Sequence, residues 1–291
     1  MTTDNEPASE PHGKRMRPLR ERLGDLARKA TALAGPNARE VTKDEIDALW
    51  SHEDMTTASA TQPVGLLVDS HPAKRPERVP LKGRLVTLAP LDAGAHAEAL
   101  YEGSHGDAAR ERVWTYLGDG PYRSLDEFHA NIESKARSAD PLFFAVVDNA
   151  SGRAVGYQTL MRIDAPNRVI EVGNVMYTPA MQRTASATEA QYLFARYVFD
   201  ELGYRRYEWK CHALNAPSRR AAERFGFTFE GIFRQHTIVK GRNRDTAWFA
   251  MLDSEWPARK AAFERWLEPD NFDGAGRQKR TLTEFMPKGK E

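Results

Sequence analysis

At 291 residues the chain is long enough for one catalytic-sized domain with extensions and short for two large ones. Its 42 Lys and Arg nearly balance 41 Asp and Glu, a formal net charge of +1, so no global basic field points to nucleic acid or an anionic membrane surface. Small molecules or protein termini are the expected partners. The longest wholly apolar run, residues 142–147, is far below the roughly 18 residues of a membrane span, and the polar N-terminus has no apolar signal segment; a cytoplasmic protein is expected. One cysteine, Cys211, allows no internal disulfide, and the eight histidines show no close pairing at metal-ligand spacing, so no metal is expected.

In chain order, residues 1–80 read as an N-terminal extension. Residues 1–13 are polar, carry Pro and Ser, and are expected to be disordered. Leu19, Leu23, Leu26, Ala30 and Leu33 recur at three- and four-residue steps and predict an amphipathic helix over 18–33. A second short helix is predicted over 42–50, with Thr42 as cap and Glu45 three residues on. Residues 55–80, rich in Thr, Pro and Ala, read as a linker or a wrapped arm.

The main domain is expected over 81–273, with 274–291 a C-terminal tail. Residues 84–88 alternate like a strand, and 92–101 form a helix capped by Asp92. A helical region extends to 139, with Ser124 as another cap and Glu127 three residues later. Strands over 142–147, 154–163 and 169–177, separated by turn signals, make an antiparallel meander. A helix over 188–202 ends at Gly203, a strand covers 206–211, and a helix over 217–225 ends at Gly226. Residues 227–239 and 246–252 pair across Gly241-Arg242-Asn243, and a last helix over 256–267 is capped by Ser254.

Between the third meander strand and the next helix lies Gln182-Arg183-Thr184-Ala185-Ser186-Ala187-Thr188-Glu189-Ala190. A short small-residue turn before a helix leaves backbone N–H groups unpaired at the positive end of the helix dipole, where a pyrophosphate fits. The stretch has no glycine. Side chains do not remove the amides, but a position that needs positive φ would cost of order 1 kcal/mol, and Arg183 adds a cation able to meet a pyrophosphate.

The order of elements, together with Pro179, Gln182, Ala187, Thr188, Glu189 and Ala190, then Asn215 and Ser218, then Gly226-Phe227 and Glu230-Gly231, resembles the GNAT family of acetyl-CoA-dependent N-acetyltransferases. Within it the pattern is similar to the RimJ/RimL-like branch, which includes ribosomal-protein N-terminal acetyltransferases. The likeness covers roughly residues 81–273 and departs from the family at Arg183 and Ala185, where the pattern has glycine. It implies an α+β (α/β/α) fold with a mixed, mostly antiparallel sheet and a central splayed strand pair. Acetyl-CoA is the implied co-substrate, an amine on a protein N-terminus or small molecule the acceptor, and the chain is expected to be a monomer or homodimer.

The resemblance also assigns roles. Val175, Met176 and Tyr177 lie nearest the pantetheine arm, and Gln182, Arg183, Thr184, Ala185, Ser186, Ala187 and Thr188 hold the pyrophosphate. Asn215 either bonds pantetheine or caps the next helix. Glu171 is the general base or an exposed strand glutamate, and Ser218 lies near the sulfur as acid or is a first-turn helix residue. Ala222 stands where many GNAT enzymes carry the tyrosine that protonates the thiolate. Cys211 is an acyl carrier or a packed core cysteine. A strand N–H near 173–175 polarises the thioester oxygen. Trp114, Tyr116 and the hairpin around 236–244 line the amine pocket or belong to the core. An α-amine of pKa near 8 is about a tenth neutral at pH 7, against about one in 2,500 for a lysine amine, and so needs less help from a base. The other reading is a non-catalytic acyl-CoA-binding module with a degenerate pyrophosphate loop.

Overall fold

In the computed structural model, residues 63–287 are described. The segment 1–13 and the helices expected over 18–33 and 42–50 lie outside them. Contacts divide the chain into two units, Met1–Leu67 and Val68–Glu291; the second holds the domain that follows.

Its elements are β1 (Leu81–Lys82), β2 (Val86–Pro90), α1 (Ala93–Ser104), α2 (Ala108–Glu111), a 3-10 turn (Arg112–Trp114), α3 (Leu125–Arg137), β3 (Leu142–Asp148), β4 (Ala154–Asp164) and β5 (Val169–Tyr177). Then come α4 (Ala185–Arg196), running into a π-turn (Tyr197–Glu201), β6 (Arg206–His212), α5 (Ala216–Arg224), β7 (Thr228–Val239), β8 (Arg242–Leu252), α6 (Trp256–Leu267) and α7 (Leu282–Phe285). The eight strands form one sheet in the order β1-β2-β3-β4-β5-β6-β8-β7. Only β5 and β6 pair in parallel.

Alternation along the strands sends side chains to two cores. Phe144, Val146, Ile170, Val172, Trp209 and Phe249 meet α4, α5, α6 and α7 on one face. Phe143, Ala145, Tyr157 and Met176 meet α1 and α3 on the other. The result is the expected three-layer arrangement. Among the described residues no helix is long and apolar enough to cross a membrane.

Several boundaries differ from the sequence pattern for local reasons. β2 starts at Val86 because 83–86 is a turn, closed by Gly83 N to Val86 O at 2.8 Å and held by the Glu189 carboxylate. The helix expected from 188 starts at Ala185, with Thr184 extended as its cap and its Oγ1 accepting from Ala187 N at 3.2 Å. Lys240 (φ 49°) and Gly241 (φ 69°) form a two-residue hairpin turn, which carries β8 back to Arg242. Glu255, not Ser254, occupies the cap position of α6, without a side-chain bond. The segment after 273 folds back, with Trp266 Nε1 bonded to Gln278 Oε1 and Leu282 sealed in the main core. Residues 73–77 run as an arm along the domain, Ala73 N bonding Ala165 O and Glu77 N bonding the Tyr197 hydroxyl.

Candidate active site

The central feature is a fork. β5 and β6 pair from Val169↔Arg206 to Val172↔Trp209 and then part, although β5 runs on to Tyr177 and β6 to His212. A bulge reinforces the parting. Thr159 and Tyr157 are two apart on β4, yet their partners on β5, Gly173 and Met176, are three apart, with Asn174 at φ 46°. An extra residue of this kind shifts the alternation by one and bends the strand. The edge of β5 facing β6 therefore has no partner strand beyond Val172, where the oxyanion donor was expected. Met176 buries its side chain in the second core, and the Tyr177 hydroxyl bonds Gln158 and Gln191.

Glu171 sits two residues before Gly173, on the α1/α3 face. It is buried at 4% exposure, unlike the exposed strand glutamate that was the other reading. Its Oε2 accepts from Lys210 Nζ at 2.8 Å and lies 3.3 Å from Arg162 Nε. Oε1 has no hydrogen-bond partner among the described residues and lies toward Gly173, 3.5 Å from where a Cβ on that glycine would be. Burial pushes the carboxyl above its ordinary range, while Lys210 and Arg162 pull it down. Lys210 also bonds Glu208 Oε2 at 2.6 Å and stands 3.8 Å from the centroid of Trp248.

The turn before α4 leaves three amides, those of Arg183, Ala185 and Ser186, without an acceptor among the described residues. The amides of Gln182, Thr184 and Ala187 are spent within the turn, and the Gln182 side chain donates to Tyr177 O. Arg183 takes φ 63°, the left-handed conformation that glycine adopts without cost; Ala185 is helical and has no such need. Arg183 is exposed and makes no ion pair among the described residues. Thr188 is buried, with its hydroxyl accepting from Arg224 Nη1 at 3.0 Å.

Asn215 caps α5, its Oδ1 accepting from Ser218 N at 3.2 Å, and its Nδ2 has no acceptor among the described residues. Ser218 Oγ accepts from Trp209 Nε1 at 3.0 Å. Cys211 lies in the main core with its thiol pushed up by burial, which removes it as an acyl carrier. Ala222, one turn after Ser218, is fully buried, so no hydroxyl replaces the missing tyrosine there.

Trp114 is core, with Nε1 bonded to Ser104 O. Tyr116 is half-buried, packs edge-on against His212 at 5.2 Å and bonds Leu214 O. On the hairpin, His236 bonds Thr246 Oγ1, and Phe233 stacks on Trp248 at 4.4 Å. Sequence reasoning missed Lys210, Arg162, Glu208 and Trp248. The alternation of Glu208 and Lys210 on a strand beginning beside Glu171 was the available signal. Among the described residues no three His, Cys, Asp or Glu gather as a metal site.

Residues 85–228 match a family model described as an acetyltransferase (GNAT) domain. A GCN5-related N-acetyltransferase of known structure from Brucella melitensis is 56% identical, covers 75% of this chain and 98% of its own, and has a TM-score of 0.73. A probable acetyltransferase of the GNAT family from Chromobacterium violaceum is 38% identical over 69% of this chain and 100% of its own, with a TM-score of 0.62. The Bacillus subtilis protein named "Putative ribosomal N-acetyltransferase YdaF" is 26% identical over 60% of this chain and 92% of its own length. The chain belongs to the GNAT family of N-acetyltransferases, acyltransferases that use acetyl-CoA to acetylate amines.

Proposed function

We propose that the chain acetylates a primary amine by direct attack in a ternary complex with acetyl-CoA, with Glu171 as general base, Ser218 beside the departing sulfur, and a protein N-terminal α-amine as the preferred acceptor. The observation that carries this reading is the asymmetry of Glu171: one oxygen is held by two cations, and the other has no hydrogen-bond partner among the described residues and lies beside Gly173, the first residue of β5 beyond the ladder.

Acetyl-CoA supplies the acetyl group as a thioester. The open amides of Arg183, Ala185 and Ser186 suit its pyrophosphate, the unpaired edge of β5 and Asn215 Nδ2 suit its pantetheine amides, and Arg183 adds a cation. Glu171 Oε1, directly or through one water, takes the proton lost by the amine as nitrogen bonds to the acyl carbon. An N–H on the bulged edge near 173–175 donates to the acyl oxygen as its charge grows. Ser218, polarised by the Trp209 N–H on its oxygen, passes a proton to the thiolate as the carbon–sulfur bond breaks and is reprotonated from water, while Glu171 returns the amine's proton to solvent. With Cys211 in the core, no thiol intervenes.

A buried carboxylate is a modest base, so it fits an amine already about a tenth neutral at pH 7 better than a lysine side chain. The name of the B. subtilis relative points the same way. The test is thiol release over a panel of free-α-amine peptides, Nα-blocked lysine peptides and polyamines. Release is expected with the α-amine peptides and slower release with blocked lysine. Glu171→Gln should lower kcat by roughly 100-fold or more with acetyl-CoA affinity unchanged. Binding of acetyl-CoA without release for any amine would instead favour the non-catalytic module.

A further inference from the structure

We propose that Lys210 is a positioning residue for the transfer: its ammonium, seated on the Trp248 ring between Glu171 and Glu208, fixes Glu171 Oε2 so that Oε1 stays ionised and turned toward the fork. This rests on the assignment of Glu171 as base.

The placement follows from the topology. Val172↔Trp209 is the last pair of the parallel ladder, so Lys210 is the first residue of β6 beyond it, at the root of the fork. Its side chain is 4% exposed, and an ammonium buried to that extent needs close compensation. Three partners supply it: Glu171 Oε2 at 2.8 Å, Glu208 Oε2 at 2.6 Å and the Trp248 ring at 3.8 Å. Glu208 is itself held by Arg206 Nε at 2.7 Å, so it cannot swing away to release the ammonium.

The charged groups around Glu171 are Arg162 from β4, Glu208 and Lys210 from β6, and Arg244 from β8. Arg162 lies farther away, at 3.3 Å, and is 52% exposed, so water and salt screen it. Glu208 opposes ionisation of Glu171. Lys210 is the close, unscreened cation that keeps a buried carboxylate charged. A strut that merely joined two strands would not be required to leave one carboxylate oxygen unbonded.

The test is the pH dependence of kcat/KM with acetyl-CoA and a low-pKa amine acceptor, for the wild type, Lys210→Met, Lys210→Arg, the double variant Lys210→Met with Glu208→Gln, and Glu171→Gln. A base must be ionised, so activity falls as pH drops through its pKa; loss of the cation raises that pKa and moves the acidic limb to higher pH. Both Lys210→Met variants should move the limb upward by about one unit or more and lower kcat about tenfold, and Lys210→Arg should restore the limb. The double variant removes one charge of each sign and keeps the test readable if the single variant does not fold. If the limb stays at the wild-type pH in the folded Met variants while Glu171→Gln is inactive, the role of Lys210 is overturned and the base assignment stands. If Glu171→Gln keeps the wild-type rate, the base assignment falls and this inference falls with it.

Discussion

Trp209 donates its indole N–H to Ser218 Oγ across 3.0 Å, tying the last ladder residue of β6 to the first turn of α5 at the root of the fork. The bond has two consequences that mutation separates. Ser218→Ala should lower kcat about tenfold, the low end for a general acid because a thiolate accepts protons readily from water. It should also cost about 1–3 kcal/mol, because a buried indole N–H is left unpaired. Adding Trp209→Phe should restore much of the stability but not kcat, read by urea unfolding and thiol release. Recovery of both together would place the serine in packing alone.

Arg183 holds φ 63°, where a side chain is strained, and its guanidinium pairs with no carboxylate among the described residues. Arg183→Gly should therefore stabilise the protein by about 1 kcal/mol while weakening acetyl-CoA binding several-fold. Thermal melting and titration calorimetry should move in opposite directions. Unchanged affinity would mean that the amides hold the pyrophosphate without the cation.

Glu189 accepts three backbone N–H groups, those of Arg84 at 3.0 Å, Leu85 at 2.6 Å and Val86 at 2.8 Å. Glu189→Ala should cost about 3 kcal/mol or more in urea unfolding, with acetyl-CoA affinity of the folded protein kept. Gly83→Ala should be nearly as harmful, since its Cβ would stand 2.6 Å from Glu189 Oε2 and 2.9 Å from Val86 O. A neutral Glu189→Ala would show that water replaces the carboxylate.

Lys240, at the hairpin tip, donates to Trp114 O at 2.8 Å and Gly120 O at 2.7 Å and so clips β7–β8 to the loop that carries Tyr116. Lys240→Met should raise KM for the amine several-fold and leave acetyl-CoA affinity unchanged, because only the acceptor side is loosened. A matching loss in both would argue for a general effect on folding.

Much of this frame was legible in the chain. The caps at Asp92 and Ser124 and the glycines after α5 and the π-turn marked their elements because each does local work that the sequence spells out. The start of α4 was read three residues late because Thr184 and Thr188 are equally good caps by type, and only the left-handed Arg183, a residue without turn preference, decides between them. Glu171 was legible as a candidate through its place beside the fork, but its burial was not. Its surroundings come from β4, β6 and β8, brought together only by the sheet. Lys210 escaped for the same reason: a charged strand residue reads as solvent-facing until its neighbours are known.

The measurement that tests the account most directly is the crystal structure of this chain with CoA bound. The pyrophosphate is expected on the amides of Arg183, Ala185 and Ser186, the pantetheine arm along β5 beyond Val172, and the sulfur within hydrogen-bond reach of Ser218 Oγ on the side faced by Glu171 Oε1. CoA bound with its sulfur outside the fork, or Glu171 Oε1 turned away from it, would rule out Glu171 as the base and Ser218 as the group beside the sulfur.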